Sequence, residues 1–281
     1  MTEATQRIAC EQIDRAIADA ADEDFEKAVH QVRKRCKKLR GLLRLVRPSF
    51  ADYKPENADF RDTARLLART RDAEVMLGTF EKLIEAGDID DAALGRVHDR
   101  LRNNRGQAVA ANEAVKARLA EAVGRLRTAR QRVDKWKIEG DGFEALRGGL
   151  EKTYARARRC MNKAEKKPSA ENLHEWRKRA KYHWYHLRLL RSIWRKPMGR
   201  LCNEASQLSD LLGDDHDLAV LSGELATHDA AEQLGGLLEL LDKRRAKLQR
   251  KAFQLGQRLF AESAGRYTDR MEAYWHAWRR N

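Results

Sequence analysis

The sequence predicts an all-α protein, and three observations predict it. Ala, Leu, Arg, Lys and Glu dominate the 281-residue chain, and all are good helix formers. Stretches of alternating β-branched residues, the mark of half-buried strands, are absent. Only four prolines occur, Pro48, Pro55, Pro168 and Pro197, and each stands where a helical pattern stops or starts. In order, helices are expected over 3–20, 23–47, 57–86, 89–134, 142–166, 169–195, 198–226 and 229–279. Pro48 and Pro55 bracket the gap between the second and third, Pro168 separates the fifth from the sixth, and Pro197 opens the seventh. The stretches 89–134 and 229–279 each read as two helices. Candidate breaks are Asn103-Asn104-Arg105-Gly106 and Ser263-Ala264-Gly265.

Composition narrows the function classes. Apolar residues make up 42%, which excludes wholesale disorder. The formal net charge of +14 calls for an acidic partner: nucleic acid, anionic lipid or polyphosphate. Cys10, Cys36, Cys160 and Cys202 form no CxxC pair and read as reduced, buried thiols of a cytoplasmic protein. The first residues lack the basic and apolar regions of a signal peptide. No apolar run is long enough to span a bilayer, so no membrane insertion is expected.

An internal repeat organises the chain. Val29-His30-Gln31-Val32-Arg33-Lys34-Arg35-Cys36-Lys37 matches Leu173-His174-Glu175-Trp176-Arg177-Lys178-Arg179-Ala180-Lys181, with the two histidines 144 residues apart. A second match sets Leu66-Leu67 and Asp72 against Leu211-Leu212 and Asp217, with the aspartates 145 apart. Two ordered matches at nearly one offset imply a duplicated helical bundle. The expected division is 1–140 and 141–281, joined near Gly140-Asp141-Gly142.

Each copy carries a basic stripe. At 100° per residue, His30, Arg33, Lys34, Lys37, Gly41 and Arg44 share an arc of about 100°, opposite Val29, Val32, Cys36, Leu39, Leu43 and Val46. In the second copy, His174, Arg177, Lys178, Lys181, Tyr185 and Arg188 repeat the arrangement, with Tyr182 beside the stripe. The helix before it adds Lys152, Arg156 and Arg159 at i, i+4, i+7. Such stripes are often plain solvated surface, but solvated faces mix signs, because like charges at i,i+4 cost a few tenths of a kcal/mol each. From Val29 to Arg47 there are eight cations and no acid. A helix that accepts this twice, in register with a histidine, has a counter-anion. A line of ammonium and guanidinium groups suits a linear row of phosphates.

The duplicated His-x-x-Arg-Lys-x-x-Lys helix, followed by Leu-Leu-x-x-x-(Arg/His)-Asp-x-x-Val, resembles the CHAD domain family. The resemblance is strongest at Gly149 to Tyr154, His174 to Tyr185 and Leu211 to Leu221. It covers essentially the whole chain, and no triphosphate-tunnel motif accompanies it. What it implies is two pseudo-symmetric antiparallel helical bundles with a basic groove or pore between them, binding inorganic polyphosphate. The first copy departs from the second in having Lys38 and Gly41 where the second has Tyr182 and Tyr185.

The resulting expectation is a protein that binds inorganic polyphosphate and does no catalysis, needs no cofactor or metal, and associates with polyphosphate granules. His30, Arg33, Lys34, Lys37, Arg44, His174, Arg177, Lys178, Lys181, Tyr182 and Arg188 are the expected contacts. Lys152, Arg156 and Arg159 would extend the groove, and Asp72 and Asp217 would orient its arginines. Two alternatives use the same region: a nucleic-acid-binding module on the same basic surface, and a metal-dependent polyphosphate hydrolase centred on His216 and Asp217. For Asp214-Asp215-His216-Asp217 the preferred reading is an acidic turn with a buried ion pair. His183 and Trp176 are expected in the core.

Overall fold

A computed structural model describes residues 1–85, 93–110, 112–228 and 231–280. Among these residues every element is helical: α1 (Thr2–Asp19), α2 (Phe25–Val46), α3 (Tyr53–Leu66), α4 (Arg69–Glu85), α5 (Ala93–Ala110), α6 (Asn112–Val133), α7 (Glu144–Lys166), α8 (Ala170–Leu189), α9 (Arg195–His228), α10 (Ala231–Leu259) and α11 (Ala264–Arg280). Short 3-10 turns at Arg47–Ser49 and Arg191–Trp194 follow α2 and α8. No helix is long and apolar enough to cross a membrane among the described residues.

Local chemistry accounts for the boundaries. The Asp24 side chain caps α2 by accepting from the Lys27 N–H at 3.1 Å, and Ser169 Oγ accepts from the Asn172 N–H to cap α8. Pro55 and Pro197 lie inside the first turns of α3 and α9, not ahead of them. A first-turn residue has no intrahelical partner for its N–H, so proline costs nothing there. Both helices therefore start earlier than expected. Gly140 and Gly142, before α7, have φ of 72° and 55°, left-handed values that glycine alone adopts cheaply.

Two expectations need correction. Residues 57–86 form two helices, not one. The guanidinium of Arg33 takes the Ala64 carbonyl at 2.6 Å, and the Ala68 N–H turns instead to the Arg65 carbonyl, which ends α3. The break expected at Asn103-Asn104-Arg105-Gly106 is absent, since all four lie within α5. A Cβ on Gly106 would meet nothing within 4 Å, so no close approach demanded this glycine. The break between α10 and α11 falls at Phe260–Ser263, close to the expected Ser263-Ala264-Gly265.

Apolar faces assemble into two clusters. The larger joins α1, α2, α3 and α6 to α7, α8, α11 and parts of α9 and α10, around Trp136, Trp176, Tyr154 and Phe60. Trp176 is fully buried and stacks on Phe253 at 5.0 Å, as its place on the apolar stripe required. The smaller cluster packs Leu77, Phe80, Leu83, Val97 and Leu101 of α4 and α5 against Leu218, Leu221, Leu225, Leu237 and Leu241 of α9 and α10. Each cluster takes residues from both sides of residue 140.

Helix α2 crosses two partners closely. At α7, a Cβ on Gly149 would lie 1.8 Å from the Leu45 carbonyl oxygen, so the helices meet backbone to backbone. At α8, Gly41 makes room for Tyr185, whose Cβ would stand 3.0 Å from a Cβ at 41. His186 Nε2 lies 3.0 Å from the Gly41 carbonyl oxygen at the same crossing.

These contacts set an order of cost. Gly149→Ala is expected to destabilise by about 3 kcal/mol, the top of the overpacking range, because backbone cannot yield as a side chain does. Gly41→Ala should cost less, and Gly106→Ala should stabilise by roughly 0.5–1 kcal/mol, since glycine is the poorer helix former. Urea unfolding of the three variants checks the order.

Candidate functional site

The crossing of α2 over α8 sets the two basic stripes against one cleft of about 600 Å³. From α2 come His30, Arg33, Lys34 and Lys37, at i, i+3, i+4, i+7. From α8 come His174, Arg177 and Lys181, with Trp184 and Tyr185 beyond them. Val75 and Met76 of α4 and His216, Asp217 and Val220 of α9 complete the wall. Seven of the residues expected to contact the ligand, together with Asp217, thus share one space. Five of them are Lys or Arg, and among the described residues Asp217 is the one carboxylate in the wall.

The remaining expected contacts lie elsewhere. Arg44 is buried; its guanidinium sits 3.9 Å from the Tyr182 ring centroid and donates to Asn57 Oδ1 at 2.6 Å and to the Arg40 carbonyl at 2.9 Å. Burial pushes its pKa down to about 10. Arg44 and Tyr182 therefore cover one another and do not line the cleft. A helical wheel groups Arg44 with His30, but beyond the Gly41 crossing the same arc of α2 turns to α3 and α8. Arg188 is exposed over the Trp184 ring at 5.0 Å, lining a smaller recess with Lys38. Lys178 is exposed and ion-paired with Glu175. Lys152 and Arg159 are exposed on α7, and Arg156 is half-buried and repelled by Arg47. None of these three lines the cleft.

The Oδ1 of Asp217 lies 3.1 Å from His216 Nδ1. The side chain of Asp72 is outside the described residues. The expected acidic turn at 214–217 is continuous helix within α9. The buried ion pair is present: Asp215, 2% exposed, accepts from Arg245 Nε at 3.3 Å and from Gln249 Nε2 at 2.8 Å. Asp215 thereby locks α10 to α9. No group of three or more His, Cys, Asp or Glu able to hold a metal ion occurs among the described residues. All four cysteines are free; Cys36 and Cys202 are buried, Cys10 and Cys160 half-buried.

Electrostatics distinguish the histidines. His174 is half-buried, and its ring lies 4.5 Å from that of His216. Desolvation, then repulsion from His216, Lys178 and Arg177, lowers its pKa to about 4. Its Nδ1 is buried without a hydrogen-bond partner. His183 and His186 are interior, both lowered to about 3 chiefly by burial. His183 is packed among Tyr154, Phe260 and Tyr267, on the core side as expected. Near Arg188, Lys38 is lowered to about 8 by burial and by Arg35, Arg188, Lys34 and Arg15.

Several cleft residues escaped the sequence reading. Val75 and Val220 close the repeated Leu-Leu-x-x-x-(Arg/His)-Asp-x-x-Val pattern and Trp184 lies within the His174 to Tyr185 stretch, yet none was expected as a contact, and Met76 carries no motif. Four further cations, Lys82, Arg244, Lys247 and Lys251, line a recess adjoining the cleft. The i, i+3, i+7 spacing on α10 was their available signal, but no histidine marks it as one marks α2 and α8.

Comparison with known proteins places this architecture. The CHAD domain model matches residues 7–226, well over half of the chain, and the chain belongs to the CHAD domain family. Among solved structures, the CHAD domain from the plant Ricinus communis aligns with a TM-score of 0.52 and 18% identity, over 99% of this chain and 92% of that one. At that identity the likeness is one of fold. No curated protein matches the chain.

The His174 environment predicts a pH response. The free ring is neutral at pH 7, and a polyanion beside it favours the imidazolium. Anion binding should therefore take up a proton, and affinity should tighten as pH falls, flattening only near pH 4. The unperturbed value of 6.5 would instead end the effect near pH 6. In the free protein the sign is opposite. A lowered folded-state pKa means stability is greatest above 6.5 and declines as pH falls toward 4. Titration calorimetry at pH 5 and 7 in buffers of different ionisation enthalpy, with wild type and His174→Gln, checks the uptake.

Proposed function

We propose that this protein binds inorganic polyphosphate in the α2/α8 cleft and does not transform it. The observation that carries this reading is convergence: two stripes about 144 residues apart in sequence present Arg33, Lys34, Lys37, Arg177 and Lys181 to one space, with one carboxylate among the described residues that line it. Each cation is partly withdrawn from water, so their mutual repulsion is less screened than on an open surface. A bound polyanion relieves it. The groups are point charges and guanidinium forks, which suit a chain of phosphates and need no bases to read.

Nucleic acid is the weaker fit. Stacking of bases asks for exposed aromatic faces. In the cleft, Tyr185 is only 5% exposed, and Trp184 lies beneath Lys181 and Arg188. The exposed indoles Trp194 and Trp278 do not line the cleft. In the cell, such binding would carry the protein to polyphosphate granules.

Three measurements test this reading. Arg177→Glu combined with Lys181→Glu should abolish binding of long-chain polyphosphate while leaving melting nearly unchanged, because partly exposed charges contribute little to stability. With five contacts at about −0.7 each, log affinity should fall against log salt with a slope near −3.5. RNA and double-stranded DNA, at equal phosphate concentration, should fail to displace the bound chain; displacement would make the nucleic-acid reading the better one.

A further inference from the structure

Beyond Asp217, helices α4, α9 and α10 enclose a second recess of about 390 Å³. Lys82 of α4 and Arg244, Lys247 and Lys251 of α10 face Asp214 and Asp217 of α9 across it. Asp217 lines both this recess and the α2/α8 cleft, so the two are contiguous.

The α10 cations are not an ordinary solvated face. Lys247 has Lys243, Arg244, Arg250 and Lys251 at its four i±3 and i±4 positions, and Lys251 has no acid at any of its own. Such spacing repels, where an ordinary surface would place a carboxylate. Lys247 and Lys251 are exposed, while Arg244 is half-buried. Their i, i+3, i+7 spacing is the one that brings His30, Arg33 and Lys37 of α2 onto the cleft wall. Across the recess, burial and the neighbouring Asp217 raise the pKa of Asp214. Asp217 itself is engaged with His216 Nδ1 at 3.1 Å. Helix α10 begins at Ala231, past the 7–226 span that matches the family, so membership assigns these residues no role.

We infer that this recess is a second polyphosphate-binding basin, and that a chain long enough to pass Asp217 occupies both basin and cleft while a short chain fills the cleft alone. The inference rests on the polyphosphate reading above. Its consequence is discrimination by chain length. A long chain already held in the cleft reaches the basin at high effective concentration, and gains affinity that no short chain can.

The experiment compares tripolyphosphate with long-chain polyphosphate at equal phosphate concentration. The proteins are wild type, Lys247→Glu with Lys251→Glu, and the cleft pair Arg177→Glu with Lys181→Glu. The basin variant should lower the ratio of long-chain to tripolyphosphate affinity on the order of tenfold at 0.1 M salt, and should flatten the long-chain salt slope by about 1.4, two contacts at ~0.7 each. The cleft variant should abolish binding of both ligands. Equal weakening of both ligands by the basin variant would mean that α10 acts only through the general field, and would overturn the inference. So would an unchanged ratio and slope, and in either case the cleft reading would stand. If wild type binds neither ligand, both readings fall.

Discussion

The arrangement depends on one contact, the crossing of α2 over α8 at Gly41. A side chain there would stand against the Cβ of Tyr185, and a tyrosine there, as at the matching position of α8, would need the space that Tyr185 fills. One helix must give way for the other to approach. The difference between the two matched stretches at this position is therefore what lets the helices pack. His186, neutral because it is buried, adds a polar contact at the Gly41 carbonyl, a group no longer open to water. With the crossing angle held, the N-terminal halves of α2 and α8 present their cations to the same space.

Cations gathered in this way cost stability unless something offsets the repulsion. Some of the offset is internal. Arg33 caps α3 by taking the Ala64 carbonyl while lining the cleft, a favourable place for a cation at a helix C-terminus. Arg44 buries its charge against the Tyr182 ring and Asn57. Arg35 is held by Asp19 at 2.8 Å. Lys38, outside the cleft, has its amine lowered to about 8, first by burial and then by four neighbouring cations.

The same facts explain why matching stripes do not do matching work. A stripe on a helix is defined by angle alone, but the helix meets different neighbours along its length. On α2, the positions before Gly41 open to the cleft and Arg44 beyond it closes against α3 and α8. On α8, Lys178 turns to Glu175 on its own helix. Periodicity groups these residues; only the neighbours separate them.

By itself the sequence determined the helical class, most helix limits and the basic character of two faces, because composition, capping residues and a 3.6-residue period act locally. His30, Arg33, Lys34 and Lys37 on one helix, and His174, Arg177 and Lys181 on another, were legible as two basic stripes for that reason. The tertiary structure decided what depends on residues distant in sequence. It withdrew Arg44 and Tyr182 into the α2–α8 interface, left Lys152, Arg156 and Arg159 outside the cleft, and paired Asp217 with His216. It also broke 57–86 in two, since the Ala64 carbonyl found a guanidinium 31 residues away. It brought Lys82 and the cations of α10 beside the cleft as well. No local rule carries such information, because burial and partner choice are set by which helices cross and where.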